Sequence, residues 1–225
     1  MPTPTLALAL TLASCPAPHA VAVTRDTVRT DSAAVAQAWE AAVPFRAFAS
    51  TIRARKDGWR ASIDSARVDA ATVARGRKVG GTWRLLVVAT DECGDSMRAV
   101  PVLAALDDSL ANVELRVVAP AEGRALQAAN RTWNGRMATP TIVLLDSAGR
   151  QAGCIVERPA PVRAMQRASY GALMAGRVTN DSLTRVMLRW WGTDRGAAIA
   201  GEAVELLESA RAKLPLCERG IAPAP

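Results

Sequence analysis

Four cysteines, Cys15, Cys93, Cys154 and Cys217, and a single histidine, His19, are the residues of this chain best able to do covalent or redox chemistry. The cysteines stand 78, 61 and 63 residues apart, far from the tight pairs that build zinc ribbons or dithiol redox motifs. His19 lies in a Pro/Ala-rich stretch ahead of any patterned segment. The folded body therefore has no imidazole, which excludes Ser-His-Asp and Cys-His catalysis and His-ligated zinc. Gly76 and the pair Gly80-Gly81 lack the lysine and spacing of a phosphate-cradling loop, so nucleotide-driven chemistry is excluded too. No metal and no cofactor is expected. What remains is the chemistry of isolated thiols.

The elements that must position those thiols follow from hydrophobic spacing. Val35, Ala38, Trp39, Ala42 and Val43 recur at helical intervals over residues 32–52, with Asp31 or Ser32 as N-cap and a break or kink at Pro44. A second helical stretch covers 59–77. Residues 85–89 form a continuous apolar run, the pattern of a strand buried on both faces. A helix over 94–110, a strand over 113–119, a helix over 123–133 and strands over 141–146 and 153–157 follow, the last two joined by the turn Ser147-Ala148-Gly149. A helix over 162–175 closes this set, and helices over 182–191 and 197–214 finish the chain. The expected class is α/β, an open mixed sheet with helices on both faces and helical extensions at both ends.

The chain has 225 residues, half of them apolar and 22% charged, the composition of a soluble globular protein. Arg outnumbers Lys 25 to 3, and the whole net charge of +7 sits between Arg46 and Arg84. Such a segment could follow an anionic membrane surface. With only Trp59 interleaved, Arg53, Arg55, Lys56, Arg60 and Arg67 read as the solvated face of an amphipathic helix, and no nucleic-acid partner is expected.

Several motifs together resemble the thioredoxin family over about residues 83–175. Asp91-Glu92-Cys93-Gly94-Asp95-Ser96 is similar to the active-site turn in which a nucleophilic cysteine opens a helix. Pro101 stands where the family carries a helix-kinking proline, and Thr139-Pro140 resembles the loop whose proline is cis beside the reactive sulfur. Glu92-Cys93-Gly94-Asp95 is most similar to a bacterial branch that carries Trp-Cys-Gly-Asp. The departures are specific: Ser96 replaces the resolving cysteine, Glu92 replaces the preceding tryptophan, and Val87 replaces a buried aspartate. The resemblance thus implies a thioredoxin-like fold and a monothiol C-x-x-S site. Cys93 is the expected nucleophile, with Ser96 as its hydrogen-bond partner and Glu92, Gly94, Asp95, Thr139 and Pro140 around the substrate.

A helix N-terminus favours a thiolate, but Asp91, Glu92 and Asp95 lie within two residues and oppose its ionisation. Cys93 is therefore expected to be a moderate nucleophile, exchanging with a disulfide-containing peptide or a low-molecular-weight thiol partner. The alternatives are a non-catalytic module that binds an extended segment in the same groove and a peroxide-reducing thiol. The last rests on Thr90-x-x-Cys93, but Leu86 stands where peroxiredoxins carry proline. Folding the hairpin about Ser147 and Ala148 sets Cys154 opposite Thr141, two strand spacings of about 4.8 Å each from the strand leading to Cys93. That exceeds the usual disulfide span of about 7 Å between Cα atoms. Cys217, near a Pro-rich end, can reach either cysteine by movement of the tail; otherwise Cys154 and Cys217 are unpaired packing residues.

At the N-terminus, residues 6–13 form an apolar Leu/Ala run of signal-peptide length, and Leu12-Ala13-Ser14-Cys15 resembles a bacterial lipobox, although residues 1–5 carry no Lys or Arg. The expected organisation is a signal peptide (1–14), a linker (15–31), a basic helical extension (32–82), a thioredoxin-like domain (83–178), a helical hairpin (179–214) and a tail (215–225). Export to the cell envelope or periplasm, with lipid anchoring through Cys15, is the expectation; without a signal the protein would be cytoplasmic.

Overall fold

A computed structural model describes residues 30–214 and residue 217. The signal-like run, Cys15 and most of the tail lie outside the described residues. The sheet contains β1 (Val43–Pro44), β2 (Trp83–Val88), β3 (Val113–Val118), β4 (Thr141–Leu145) and β5 (Gln151–Val156) in the order β1-β3-β2-β4-β5. Only β2 and β3 are parallel; the other neighbours run antiparallel. The helices are α1 (Ser32–Ala41), α2 (Phe45–Thr51), α3 (Lys56–Ser65), α4 (Ala70–Lys78), α5 (Gly94–Ser109), α6 (Arg124–Ala129), α7 (Ala160–Met174), α8 (Asn180–Asp194) and α9 (Ala197–Arg211).

The apolar runs of β2 and β4 are explained by burial on two faces. Leu85, Val87, Ile142 and Leu144 pack with α5 and α9, whereas Leu86, Val88, Val143 and Leu145 pack with α1 and α6. Alternation along a strand sends successive side chains to opposite faces, so a strand covered on both sides has no position for a polar residue. The 32–82 segment shares the larger of these cores through Ile52, Trp59 and Val79, and the C-terminal helix shares it through Ile199, Ala203 and Val204. Gly196, at φ +89, turns α8 into α9 so closely that a Cβ there would meet a methyl of Val102 at 2.5 Å.

The structure corrects several expectations. The break expected at Pro44 is present, since Pro44 has no N–H and holds its predecessor extended, but Val43–Pro44 also pairs with Val117 and Arg116 as a short edge strand that the helical spacing did not suggest. The 59–77 helix also divides. Asp69 caps α4 by accepting the Thr72 N–H at 2.9 Å and the Thr72 hydroxyl at 2.6 Å, which ends the preceding segment. Cys154 faces Val143 rather than Thr141. The three-residue turn with Gly149 at φ 74 and an irregularity between Leu144 and Leu145 shift the register.

Cys154 is bonded to Cys217, with Cα atoms 5.0 Å apart, so neither is an unpaired packing residue. The bond closes a segment of 63 residues. It also fastens the chain end to the sheet face opposite α9, beside Ala138 and Val156. Close by, the Thr30 hydroxyl donates to Gln151 Oε1 at 2.6 Å, and Gln151 Nε2 donates to Asn130 Oδ1 at 2.8 Å. Both ends of the described chain are therefore tied to the start of β5.

Asp107, near the end of α5, has its carboxyl pushed up to about 6 by burial, against the opposing Leu115 N–H at 3.2 Å, with Asp108 and Glu114 adding like charge. A carboxyl raised on folding stabilises the protein below its unfolded value and loses that contribution as pH rises through about 4 to 6. Asp107→Asn keeps an acceptor for Leu115. The variant should be more stable than the native chain by about 1–2 kcal/mol at pH 7, with the gap narrowing toward pH 4. Urea unfolding at both pH values checks this; a gap independent of pH would contradict it.

Candidate functional site

The pairing of Val88 with Thr141 brings the C-terminal end of β2 beside the N-terminal end of β4. Four residues, 89–92, separate Cys93 from the end of β2, and Thr139 and Pro140 lead into β4, so the two segments meet at that end of the sheet. The Thr139–Pro140 peptide is cis. Cys93 is the N-cap of α5, half-buried and free of any disulfide. Its thiol donates to the Thr139 carbonyl at 3.1 Å, and its sulfur accepts the Ser96 N–H at 3.4 Å. Sulfur thus does at this helix start what a serine or aspartate oxygen usually does.

The role expected for the Ser96 hydroxyl is corrected. Ser96 is fully buried, and its Oγ makes no hydrogen bond within the described residues; the backbone amide, not the side chain, contacts sulfur. Position 96 faces inward on the first turn of α5, where the packed chain offers the hydroxyl no acceptor.

Two of the three acidic side chains around Cys93, those of Asp91 and Asp95, are engaged, and Glu92 is exposed. Asp91 Oδ2 accepts the N–H groups of Arg53 at 2.7 Å and Ala54 at 2.8 Å. These two bonds, Ala54 first, hold its carboxyl below the ordinary aspartate range. Asp95 Oδ2 receives Arg158 Nε at 2.9 Å and Nη2 at 2.8 Å, a pair whose side chains are 18% and 15% exposed. Glu92 lends its backbone carbonyl, to which Arg55 Nε donates at 2.7 Å. Trp59, 1% exposed, donates its indole N–H to the Asp91 carbonyl at 2.9 Å. Gly94 approaches Arg98 so closely that a Cβ would lie 3.0 Å from its Nη1, and Arg98 Nη1 donates to the Gly94 carbonyl at 2.6 Å. Burial pulls the Arg98 guanidinium below its ordinary value, with Asp95 opposing.

The basic residues expected on a solvated face, Arg53, Arg55, Lys56, Arg60 and Arg67, are all exposed. From the same segment the Arg53 backbone N–H, the Arg55 guanidinium and the Trp59 indole reach the Cys93 turn. Sequence pattern did not connect residues 53–55, Trp59 and Arg158 with the site, because their contacts with 91–95 span distances that local pattern does not encode; Arg98, one helical turn from Gly94, was not singled out either. The excess of arginine in 46–84 was the one available signal. The loop before the cis peptide is fixed from behind: Gln127 Nε2 donates to the Ala138 carbonyl at 2.9 Å and the Thr141 hydroxyl donates to the same oxygen at 2.7 Å.

Asp91→Ala removes the acceptor that holds residues 53–54 against the turn. It should cost about 1–2 kcal/mol, as expected for charge-assisted hydrogen bonds, and speed carbamidomethylation of Cys93 severalfold. Equal alkylation rates by mass spectrometry would mean that this segment does not shield the thiol.

A family model described as thioredoxin matches residues 42–170. No curated protein matches the chain. Among solved structures, an HIV epitope-scaffold is similar at 21% identity and a TM-score of 0.57, covering 77% of this chain and 97% of its own. A protein of unknown function from Pseudomonas aeruginosa is similar at 22% identity and a TM-score of 0.55, covering 78% and 97%. At these identities the two structures speak for the fold alone. The family match extends over more than half of the 225 residues and takes in Cys93, the helix it caps and the cis peptide beside it, and the chain belongs to the thioredoxin family.

Proposed function

We propose that this protein is a single-cysteine thiol–disulfide exchange protein of the cell envelope. The observation that carries the reading is the placement of a free, half-buried Cys93 sulfur at a helix N-cap, 3.1 Å from the carbonyl of the residue before a cis proline. A thiol reaches a disulfide only when deprotonated. In the proposed step the Cys93 proton leaves to solvent and the thiolate attacks one sulfur of R–S–S–R. A Cys93–S–S–R bond forms and R–S⁻ departs. With serine at position 96, release falls to an external thiol R′–SH, which attacks the R sulfur, forms R–S–S–R′ and returns the electron pair to Cys93. The net change is exchange, with no oxidant or reductant beyond the two partners. Glu92, Gly94 and Asp95 flank the attacked sulfur on one side, and Thr139 and Pro140 on the other. Export and lipid attachment at Cys15 belong to the same proposal and rest on the sequence of residues 6–15.

A binding-only role in the same groove is favoured by one observation: the Cys93 thiol is already engaged, donating to the Thr139 carbonyl at 3.1 Å. Oxidised glutathione separates the two readings. Exchange predicts an adduct of about +305 Da at Cys93, the mass of one glutathione less two hydrogens, that forms faster as pH rises because only the thiolate attacks. Peptide mapping locates it, and Cys93→Ser should abolish it. A Cys93 that stays unmodified in the folded protein from pH 7 to about 9 would leave only the binding role.

A further inference from the structure

Beyond the Cys93 groove, the structure contains a cavity of about 410 Å³ between the α7–α8 hairpin and the loop of residues 133–136. Neither Cys93, Ser96, Thr139 nor Pro140 lines it. Its size falls within the range of small-molecule sites. Trp133 and Tyr170 meet edge to face on one wall with ring centroids 5.0 Å apart, and Met165 and Met187 supply adaptable apolar surface. Two polar features give the cavity a chemical direction.

The first is charge. Arg136 and Arg158 both line the cavity, and both lean on the single carboxylate Glu157, at 3.2 Å and 3.4 Å. Arg158 has a second partner in Asp95, which is not part of the lining. Arg136 shares its counter-charge, and its side chain is 53% exposed at the mouth, so its remaining donors are open to an incoming anion. The second is Gln166, which also lines the cavity and whose Oε1 is buried without a hydrogen-bond donor among the described residues. A buried carbonyl oxygen in that position calls for an N–H or O–H group.

We infer that this cavity binds a small amphipathic aryl acid. The apolar ring system lies against Trp133, Tyr170 and the two methionines, an N–H or O–H group donates to Gln166, and the acid group pairs with Arg136. The occupant would sit one ion pair from the thiol, because Arg158 joins the cavity wall to Asp95, two residues after Cys93. The inference does not depend on the exchange reading, since no thiol takes part.

The test uses the full chain with Cys93→Ser, so that thiol chemistry cannot affect the result. The probes are 8-anilinonaphthalene-1-sulfonate, which carries an aryl body, an N–H donor and an anion, and N-phenyl-1-naphthylamine, which carries the same body and donor without charge. Fluorescence titration should give saturable binding of one molecule of each, with the anion bound tighter. Arg136→Gln should weaken the anionic probe about tenfold and leave the neutral probe unchanged. Ser169→Trp, filling the cavity from α7, should abolish both; Thr184→Phe does the same from an exposed position on α8 and serves if the first variant fails to fold. Binding that survives the filled cavity, a sulfonate that ignores Arg136→Gln, or no saturable binding to the parent protein would each overturn the inference.

Discussion

The sulfur of Cys93 is held between two backbone groups, the Ser96 amide one turn into α5 and the Thr139 carbonyl, 46 residues beyond Cys93. The Ser96 bond is the local cap of α5, but the Thr139 bond could not form without the antiparallel pairing of β2 with β4, which sets Val88 beside Thr141 and so fixes the ends from which both segments depart. That pairing is enforced by burial on two sides. A one-residue slip of β4 would exchange Ile142 and Leu144 with Val143 and Leu145 between two separate cores. The site's geometry therefore joins a local helix cap at Cys93 to a long-range approach of Thr139 that packing in the sheet enforces.

The turn would be a poor place for three acidic residues and a thiol were its charges left in water-poor surroundings without partners. Backbone amides from 53 and 54 take up Asp91, Arg158 takes up Asp95, and Arg55 and Arg98 bond the carbonyls of Glu92 and Gly94. Arginine suits this work because its fork of donors reaches a carboxylate or a carbonyl, as the Arg98 guanidinium does at Gly94. The N-terminal helices are thus part of the site's wall as well as part of the core, through Ile52 and Trp59.

Much of the sheet could be read in the sequence because double burial writes an unbroken apolar run, as in Leu85-Leu86-Val87-Val88 and Ile142-Val143-Leu144-Leu145. The turn at Cys93 and the Thr139-Pro140 step were legible because proline and a helix-opening cysteine constrain the backbone locally. Other features depend on contacts that local pattern does not carry. The facing of Cys154 turned on the backbone of Gly149 and one irregular pair, its bond to Cys217 on where the chain end travels, and the embrace of residues 91–95 by 53–59 on tertiary packing. Ser96 misled for a related reason: a hydroxyl three residues past a thiol looks like a partner, yet the helix directs it inward and offers the amide instead.

Release of the mixed disulfide tests most directly the claim that one cysteine performs the exchange. Protein carrying a glutathione adduct on Cys93 is freed of small thiols, and the decay of the adduct is followed by intact mass over a series of added thiol concentrations. A single-cysteine mechanism predicts an adduct that persists without added thiol and a decay rate that rises in proportion to its concentration. Decay at a fixed rate without added thiol would reveal a resolving group within the chain and contradict the account.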